Sequence, residues 1–170
     1  MPTGLKSTSS TVAIGFSVSE VAPNTFAQAQ VDLNLSPLDR EVFVVQAIDL
    51  TLQSPNGIAG VDTATAGSIT TTRRVAVAEL SDSNCLAVAV NQIRAAGFVD
   101  GGVGFSQTAG ESPNTLLEYV GIIATNDFFI QCIGDGNVGL TRMTGKLYGY
   151  RATANADIFA ALVQSEVLSA

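Results

Sequence analysis

The fold of this chain is decided by residues 128–151, which have the sequence FFIQCIGDGNVGLTRMTGKLYGYR. The first part of this segment is rich in aromatic and β-branched residues, as β-strands are. Asp135-Gly136 supplies a turn pair that tolerates the left-handed backbone conformation, and the chain then returns from Leu140 as a second, longer strand. The chain before this hairpin repeats the alternation of strand and turn, which favours an all-β fold.

Two segments near the start of the chain alternate strictly between apolar and polar or small residues. In residues 11–19 the apolar side chains stand at even positions, and in residues 25–35 they stand at odd positions. A period of two is typical of a half-buried antiparallel strand. Residues 81–94 are ambiguous, because Val88 and Val90 favour a strand whereas Ser81 to Ser83 could cap a helix. The β-branched residues favour the strand.

Eight strands are predicted in all. They span residues 11–19, 25–35, 41–53, 68–79, 84–94, 114–125, 128–133 and 139–152. Simple alternation within 41–53 would place its even-numbered apolar residues, from Val42 to Leu52, on one face. Residues 54–67 and 97–113 are dominated by small residues and are predicted to be long loops, where ligands often bind.

The order of these segments predicts one domain with a short segment before it and another after it. No amphipathic helix separates the strands, which excludes parallel βαβ units. Residues 11–153 are predicted to form an eight-stranded antiparallel jelly-roll sandwich; a nine-stranded immunoglobulin-like sandwich is the alternative, although the chain has no Trp. Residues 1–10 are predicted to be a flexible arm. Residues 154–170 are predicted to be a short helix, capped by Asn155 and packed on the sandwich or on a neighbouring subunit.

The composition is unusually poor in charge. Charged residues make up 14% of the 170 residues, against about 25% in an average soluble domain. This fits a subunit whose flanks are covered by copies of itself, because interface cores are depleted in charge. It also fits a β-domain that presents Ser, Thr, Asn and Gln to solvent. The net charge of −7 and the lack of a basic stripe argue against direct nucleic-acid binding.

The chain contains no segment that predicts export or membrane insertion. Residues 1–10 lack the apolar region of a signal peptide, and no run of 18 apolar residues occurs. Synthesis in a cytoplasm is therefore expected. Cys85 and Cys132 each lie in an apolar run, which predicts buried free thiols, while a disulfide between facing sheets stays open.

No pattern in the sequence predicts a reaction, and the protein is predicted not to be an enzyme. The absence of histidine excludes Ser-His-Asp and Cys-His catalysis and imidazole metal sites. Residues 134–139, GDGNVG, have the spacing of a dinucleotide-binding loop, but a strand rather than a helix follows, so a hairpin turn is predicted. No catalytic, cofactor-binding or metal-ligating residue is assigned, and no cofactor is expected.

Two sets of residues are weak candidates for ligand binding. Acidic residues in or beside loops could bind Ca²⁺ if the fold gathers them, although their spacing is not that of a calcium loop. These are Asp62, Asp82, Asp100 and Glu111. Tyr119, Tyr148 and Tyr150 could stack on a sugar, but packing or interface roles are favoured, and Tyr148 and Tyr150 are predicted to share a strand face with Lys146.

The strand pattern resembles that of the single jelly-roll capsid proteins of icosahedral viruses and phages. Two segments carry the resemblance: residues 35–55, LSPLDREVFVVQAIDLTLQSP, and residues 128–152, FFIQCIGDGNVGLTRMTGKLYGYRA. The resemblance implies a coat subunit that is made in the host cytoplasm, self-assembles into capsomers with other coat or virion proteins, and resides in the virion. The departure is residues 1–10, which hold one Lys where coat proteins that package RNA carry a basic arm. An inner protein layer or an internal membrane would then separate coat and genome.

The alternative function is a binding module, such as a lectin-like or receptor-binding domain of an appendage. Loops 54–67 and 97–113 would then carry the ligand site. A concave pocket with acids and a Tyr would favour the binding module, whereas broad apolar flanks would favour the shell subunit.

Overall fold

The computed structural model describes residues 1–97, 105–109 and 117–169, which form ten strand segments and one helix. The segments are β1 Leu5–Ser7, β2 Val12–Ser19, β3 Ala27–Asp32, β4 Glu41–Leu52, β5 Thr63–Thr70, β6 Cys85–Arg94, β7 Phe105–Ala109, β8 Gly121–Ile123, β9 Asp127–Asp135, β10 Arg142–Ala154 and α1 Ala156–Leu168. The predicted strand over 84–94 is thereby confirmed against the helix.

The strands form two antiparallel sheets with jelly-roll connectivity. The first sheet has the order β2-β10-β4-β8, and the second has the order β3-β9-β5-β6-β7. The chain crosses between the sheets at almost every turn, as two interleaved Greek keys require. β1 and β2 lie end to end along β10, so ten segments occupy nine positions. The predicted jelly roll is confirmed. It has nine strand positions rather than the eight predicted, because β7 adds one at the edge of the second sheet.

The main core lies between the two sheets. Its largest buried side chains come from both of them, including Phe43 and Leu147 of the first sheet and Phe128 and Ile130 of the second. The rings of Phe16 and Phe128 meet edge to face, with 5.9 Å between their centroids. The alternation predicted for residues 11–19 and 25–35 points the expected side chains into this core, with the exception of Val12, which is 43% exposed.

The prediction for the faces of β4 is wrong in one half of the strand. Tyr148 pairs with Ala47 but Gly149 pairs with Val45, so Gln46 forms a β-bulge. One extra residue inverts the alternation, because side chains in a strand repeat with a period of two. Phe43 and Val45 therefore share the core face with the even-numbered residues after the bulge, while Val42 and Val44 face outward.

The helix α1 covers the outward-facing half of the first sheet. Ile158, Phe159, Leu162 and Val163 pack against a second apolar cluster. That cluster contains Leu5, Val42, Val44, Ala124, Ala152 and Ala154. Asn155 caps the helix as predicted, because its side-chain oxygen accepts the N–H of Ile158 at 2.8 Å. We call this region, α1 together with the cluster and the turn at 124–126, the helix dock.

The structure shifts the predicted fourth strand toward the N-terminus. β5 spans Thr63–Thr70, so part of the predicted loop 54–67 is a strand, and Val75, within the predicted strand 68–79, is 94% exposed. Residues 71–84 instead cover the outer face of the second sheet. There the buried Gln131 accepts a bond from Ser68 Oγ at 2.6 Å and donates to Thr70 Oγ1 at 2.7 Å.

Three other segments also differ from the sequence-based boundaries. Residues 5–7, within the predicted arm, pair with β10 as β1. Residues 105–109, within the predicted loop 97–113, pair with β6 as β7, whereas 98–104 and 110–113 lie outside the described residues. Of the predicted strand 114–125, residues 121–123 form β8 and 114–116 are not described. The described part of the chain has no helix long and apolar enough to cross a bilayer.

Candidate functional site

The most organised surface of the molecule is one end of the sandwich, where three loops meet. These are the β2–β3 loop (20–26), the β4–β5 loop (53–62) and the β9–β10 loop (136–141). We call them together the loop end. Successive strands enter and leave the sandwich here, so residues distant in sequence become neighbours.

Three asparagines hold the loop end together. Asn24 Oδ1 accepts the N–H of Asn137 at 2.9 Å, and Asn24 Nδ2 donates to the carbonyl oxygen of Asn137 at 2.9 Å. The side chain of Asn137 accepts the N–H of Asn56 at 2.8 Å and donates to the carbonyl oxygen of Ala64 at 2.8 Å. Asn137 therefore links all three loops, through its backbone to Asn24 and through its buried side chain to Asn56, and the polar atoms of that side chain are satisfied.

Beneath these loops lies a buried carboxylate, that of Glu20, which is 3% exposed. One of its oxygens accepts the N–H of Thr25 at 3.0 Å and of Gly134 at 2.7 Å, and the other accepts the N–H of Thr141 at 2.7 Å. Three backbone donors solvate the charge in place of water. Since both oxygens are engaged, we assign Glu20 a structural role.

The turn predicted at residues 134–139 joins β9 to β10, and Gly136 adopts a φ of 66°, which glycine adopts without strain. The prediction that these two strands form a hairpin is wrong, because β9 lies in the second sheet and β10 in the first, so they do not pair with each other. The amides that would cradle a phosphate are already bonded: Asn24 accepts from Asn137, and Asn56 Oδ1 accepts from Val138 at 3.1 Å and Gly139 at 3.0 Å. This arrangement excludes a dinucleotide-binding loop.

The loop end nevertheless leaves large apolar side chains in water. Val21 is 88% exposed, Val138 is 74% exposed and Leu140 is 44% exposed. Val21 and Leu140 are backbone neighbours, because the adjacent Glu20 donates its N–H to the carbonyl oxygen of Thr141 at 2.9 Å. Apolar side chains displayed on a hydrogen-bonded platform are typical of a surface that contacts another molecule.

The two acidic candidates that the structure describes, Asp62 and Asp82, are not brought together. Asp62 lies at the loop end, where it accepts the N–H groups of Ala95 at 2.7 Å and Ala96 at 2.8 Å and pairs with Arg94. These bonds, more than the charge of Arg94, lower the pKa of Asp62. Asp82 lies beyond the other end of β5 and pairs with Arg74 at 3.0 Å. Asp100 and Glu111 lie outside the described residues, and no group of acids that could hold a metal ion occurs in the described ranges.

Of the three tyrosines, Tyr150 lines a polar concavity on the outer face of the first sheet, whereas Tyr119 and Tyr148 do not line it. Tyr150 lines this concavity of about 500 Å³ with Glu118, Gln46 and a rim of hydroxyl groups from Ser7, Ser9, Ser10 and Thr11. The bulge in β4 sets Gln46 here, where its Oε1 accepts the Thr11 hydroxyl at 2.9 Å. Burial, and after it the charge of Glu118, raises the pKa of Tyr150.

Both cysteines are free thiols, as predicted. Cys85 on β6 and Cys132 on β9 belong to the same sheet, with β5 between them, rather than to facing sheets. Cys132 is fully buried, and burial together with the nearby charge of Glu20 raises its pKa to about 11. Its thiolate is therefore not populated at neutral pH, which excludes a nucleophilic role there.

Sequence reasoning missed the residues that organise these sites. Glu20 and Glu166 are buried glutamates that bond backbone amides, and Asn137 bonds across three loops. A weak signal existed for Glu20, because it ends an apolar alternation and precedes a turn. No local signal marks Glu166, whose partners, Ala124 and Thr125, lie about forty residues away.

The chain has no match in two comparisons with known proteins: no protein-family model fits it, and no curated protein resembles it in sequence.

Proposed function

We propose that the protein is a self-assembling structural subunit, a viral coat protein whose copies pack side by side into capsomers. The observation that supports this most is the loop end, a rigid surface with exposed Val21, Val138 and Leu140. Exposed apolar groups lower the free energy of the system when a neighbouring molecule covers them. The jelly-roll order of the strands agrees with the resemblance to coat proteins.

Exposed apolar side chains on other flanks support a subunit with several neighbours. Leu38, in the loop between β3 and β4, is 95% exposed, and Val75 and Leu80, in the segment over the second sheet, are 94% and 72% exposed. At the end of α1, Leu168 is 77% exposed. A shell subunit meets copies on several sides, so apolar groups on several sides are what such a role requires.

The distribution of positive charge supports a coat that does not bind the genome itself. Arg74, Arg94 and Arg151 form ion pairs with carboxylates, the last with Glu41 at 3.1 Å. On the outer face of the first sheet, Lys146 is opposite Asp49. We propose that another virion component, either an inner protein layer or an internal membrane, contacts the nucleic acid.

The decisive experiment compares the assembly of two charge variants of the purified protein. In the test variant, Val21→Asp with Val138→Asp, the new carboxylates add charge where neighbours would bury apolar surface. The control is Gln164→Glu, at an exposed position of α1. Light scattering and negative-stain images should show particles for the wild type and the control and small species for the test variant. A monomeric wild type at high concentration would contradict the proposal.

A second candidate function, a binding module for a saccharide, is favoured by the polar concavity. Hydroxyl groups, the amide of Gln46, the carboxylate of Glu118 and the ring of Tyr150 are the groups that recognise a polyhydroxylated ligand. The shell proposal ranks first because the hydroxyls of Ser7, Ser9 and Thr11 are already bonded within the protein. A glycan array on the wild type and Gln46→Ala tests this candidate, since only a ligand in the concavity would lose binding in the variant.

A further inference from the structure

The outer edge of β2 is an open strand edge. β2 pairs with β10 along residues Val12–Ser19, and no strand of the described residues pairs with its other side. None of the backbone bonds formed by the described loops reaches that side either. The edge extends over eight residues, which corresponds to about 27 Å of chain at the rise of an antiparallel strand.

The hydrogen-bond pattern shows which residues face this edge. Just beyond β2, Glu20 donates its N–H to Thr141, the residue opposite it in the register. In an antiparallel pair, residues alternate between bonding the partner strand and facing away from it. The even-numbered residues of β2 therefore bond β10. The odd-numbered ones, Ala13, Gly15, Ser17 and Ser19, direct their N–H and C=O groups to the free edge.

Among the residues that the structure describes, this edge lacks the devices that normally block strand pairing. Proteins protect edges with charged side chains, proline, bulges or a covering segment. β2 has the sequence VAIGFSVS, without charge or proline, and its register with β10 is unbroken. The edge strand of the other sheet differs, because β3 ends in Asp32 and the side chain of Gln28 accepts the N–H of Arg74 from a covering segment.

We propose that β2 pairs with β2 of a second copy of this chain, antiparallel and across a two-fold axis at Phe16. Because only the odd-numbered residues have free N–H and C=O groups, a hydrogen-bonded ladder forms only when odd-numbered residues of the two strands stand opposite each other. The register that sets Ala13 against Ser19 and Gly15 against Ser17 uses all four free donor and acceptor pairs of each strand. The first sheets of the two copies then become one continuous sheet.

A second copy is the occupant that the pairing pattern favours, because the four free residues of one β2 are matched by the same four residues of another across a two-fold axis. The chain carries a net charge of −7, so two copies repel over most surfaces, but neither strand brings a charge to this contact. The outward side chains of the four pairs are alanine, glycine and serine, so two copies approach without steric conflict. The inference deepens the proposed function and rests on it for the choice of a second copy.

The test combines amide hydrogen exchange with a strand-edge variant of the full chain. In the assembled protein, the amides of Ala13, Gly15, Ser17 and Ser19 should exchange at least about tenfold more slowly than in the diluted monomer. Ser17→Pro removes an N–H that does not bond β10, so the fold should persist while the contact is lost. Ser17→Ala keeps the N–H and should assemble as the wild type does.

The outcomes separate this contact from the shell proposal. Shells in which the four amides exchange freely, or which Ser17→Pro forms as well as the wild type, would overturn the β2 pairing and leave the shell intact. A dimer of twice the 17.5 kDa chain mass that Ser17→Pro converts to monomer, without larger particles, would support the pairing and overturn the shell. A wild type that stays monomeric would overturn both.

Discussion

The loop end and the helix dock each bury one glutamate, and they use it differently. Glu20 at the loop end receives three backbone N–H groups from three separate segments. Glu166 in the helix dock receives two, from the consecutive residues Ala124 and Thr125, at 2.7 and 3.0 Å. Burial raises the pKa of Glu166 despite these bonds. The carboxylate of Glu20 thus connects three segments of the fold. That of Glu166 holds a single turn, and these bonds do not fully offset the loss of its hydration.

The largest effect expected from this comparison is that of Glu20→Gln. The new NH₂ group must face a backbone N–H, since donors occupy both oxygens of the wild-type carboxylate. We expect a loss of about 3 kcal/mol in the free energy of unfolding, measured by urea denaturation. Glu79→Gln, at an exposed position, is the control and should change little. A loss below about 1 kcal/mol would contradict the claim that Glu20 holds the three segments together.

Asn137→Ala tests whether the loop end depends on its amide network as well as on the carboxylate. The variant leaves the N–H of Asn56 and the carbonyl oxygen of Ala64 without partners, so we expect a loss of about 2 kcal/mol. Thermal unfolding should show it as a decrease of several degrees in Tm. Ser54→Ala, in the same loops but exposed, serves as the control. Equal Tm values for both variants would contradict the network's role.

Asn155→Ala tests how firmly the helix dock is held. The cap of α1 is lost, which costs about 1 kcal/mol and should lower Tm by about 2–4 °C. Asn155→Ser should retain most of the stability, because a hydroxyl oxygen also caps a helix. If the serine variant is as unstable as the alanine variant, the loss arises from another contact of Asn155.

Glu166→Gln should have the smallest effect at neutral pH, and its effect should depend on pH. The variant turns an NH₂ group toward a backbone N–H, as Glu20→Gln does, but here it also removes the cost of burying the charge, so we expect a change within about 1 kcal/mol. The folded pKa of Glu166 is raised above its ordinary value of 4.5. The wild type therefore gains stability from this group as the pH falls through the folded pKa toward 4.5, and loses it as the pH rises again.

Unfolding curves at pH 7 and near pH 4.5 measure this dependence. Relative to Glu166→Gln, the wild type should be more stable at the lower pH. A difference between the two proteins that is the same at both pH values would contradict the raised pKa and remove the contrast between the two glutamates.

The sequence predicted those parts of the fold whose signal is local. β2 and β3 alternate cleanly, and Asn155 stands where a helix cap must stand. The position of β5 was predicted wrongly because two of its inward side chains, Thr63 and Thr65, are polar. The strand therefore shows no alternation of apolar and polar residues there. Their hydroxyls bond the carbonyl oxygens of Asn56 at 2.7 Å and Gln53 at 2.8 Å, contacts that alternation does not reveal.

The candidate site was harder to predict than the fold, because its determinants are long-range. Asn24 and Asn137 are 113 positions apart in the chain, and a pattern in either neighbourhood shows only a turn. The same holds for two of the three partners of Glu20, because Gly134 on β9 and Thr141 just before β10 are 114 and 121 positions away. Sequence reasoning could reject a dinucleotide loop at 134–139 from the strand that follows, but it could not show which side chains occupy the amides.

The bulge at Gln46 has a consequence for variation in chain length. Deletion of this one residue would leave a strand with ordinary alternation, in which Phe43, Val45, Ile48, Leu50 and Leu52 still share the core face. The main core would keep its residues, and the polar concavity would lose the side chain that accepts the Thr11 hydroxyl. Position 46 is therefore the place where β4 should tolerate a one-residue deletion best.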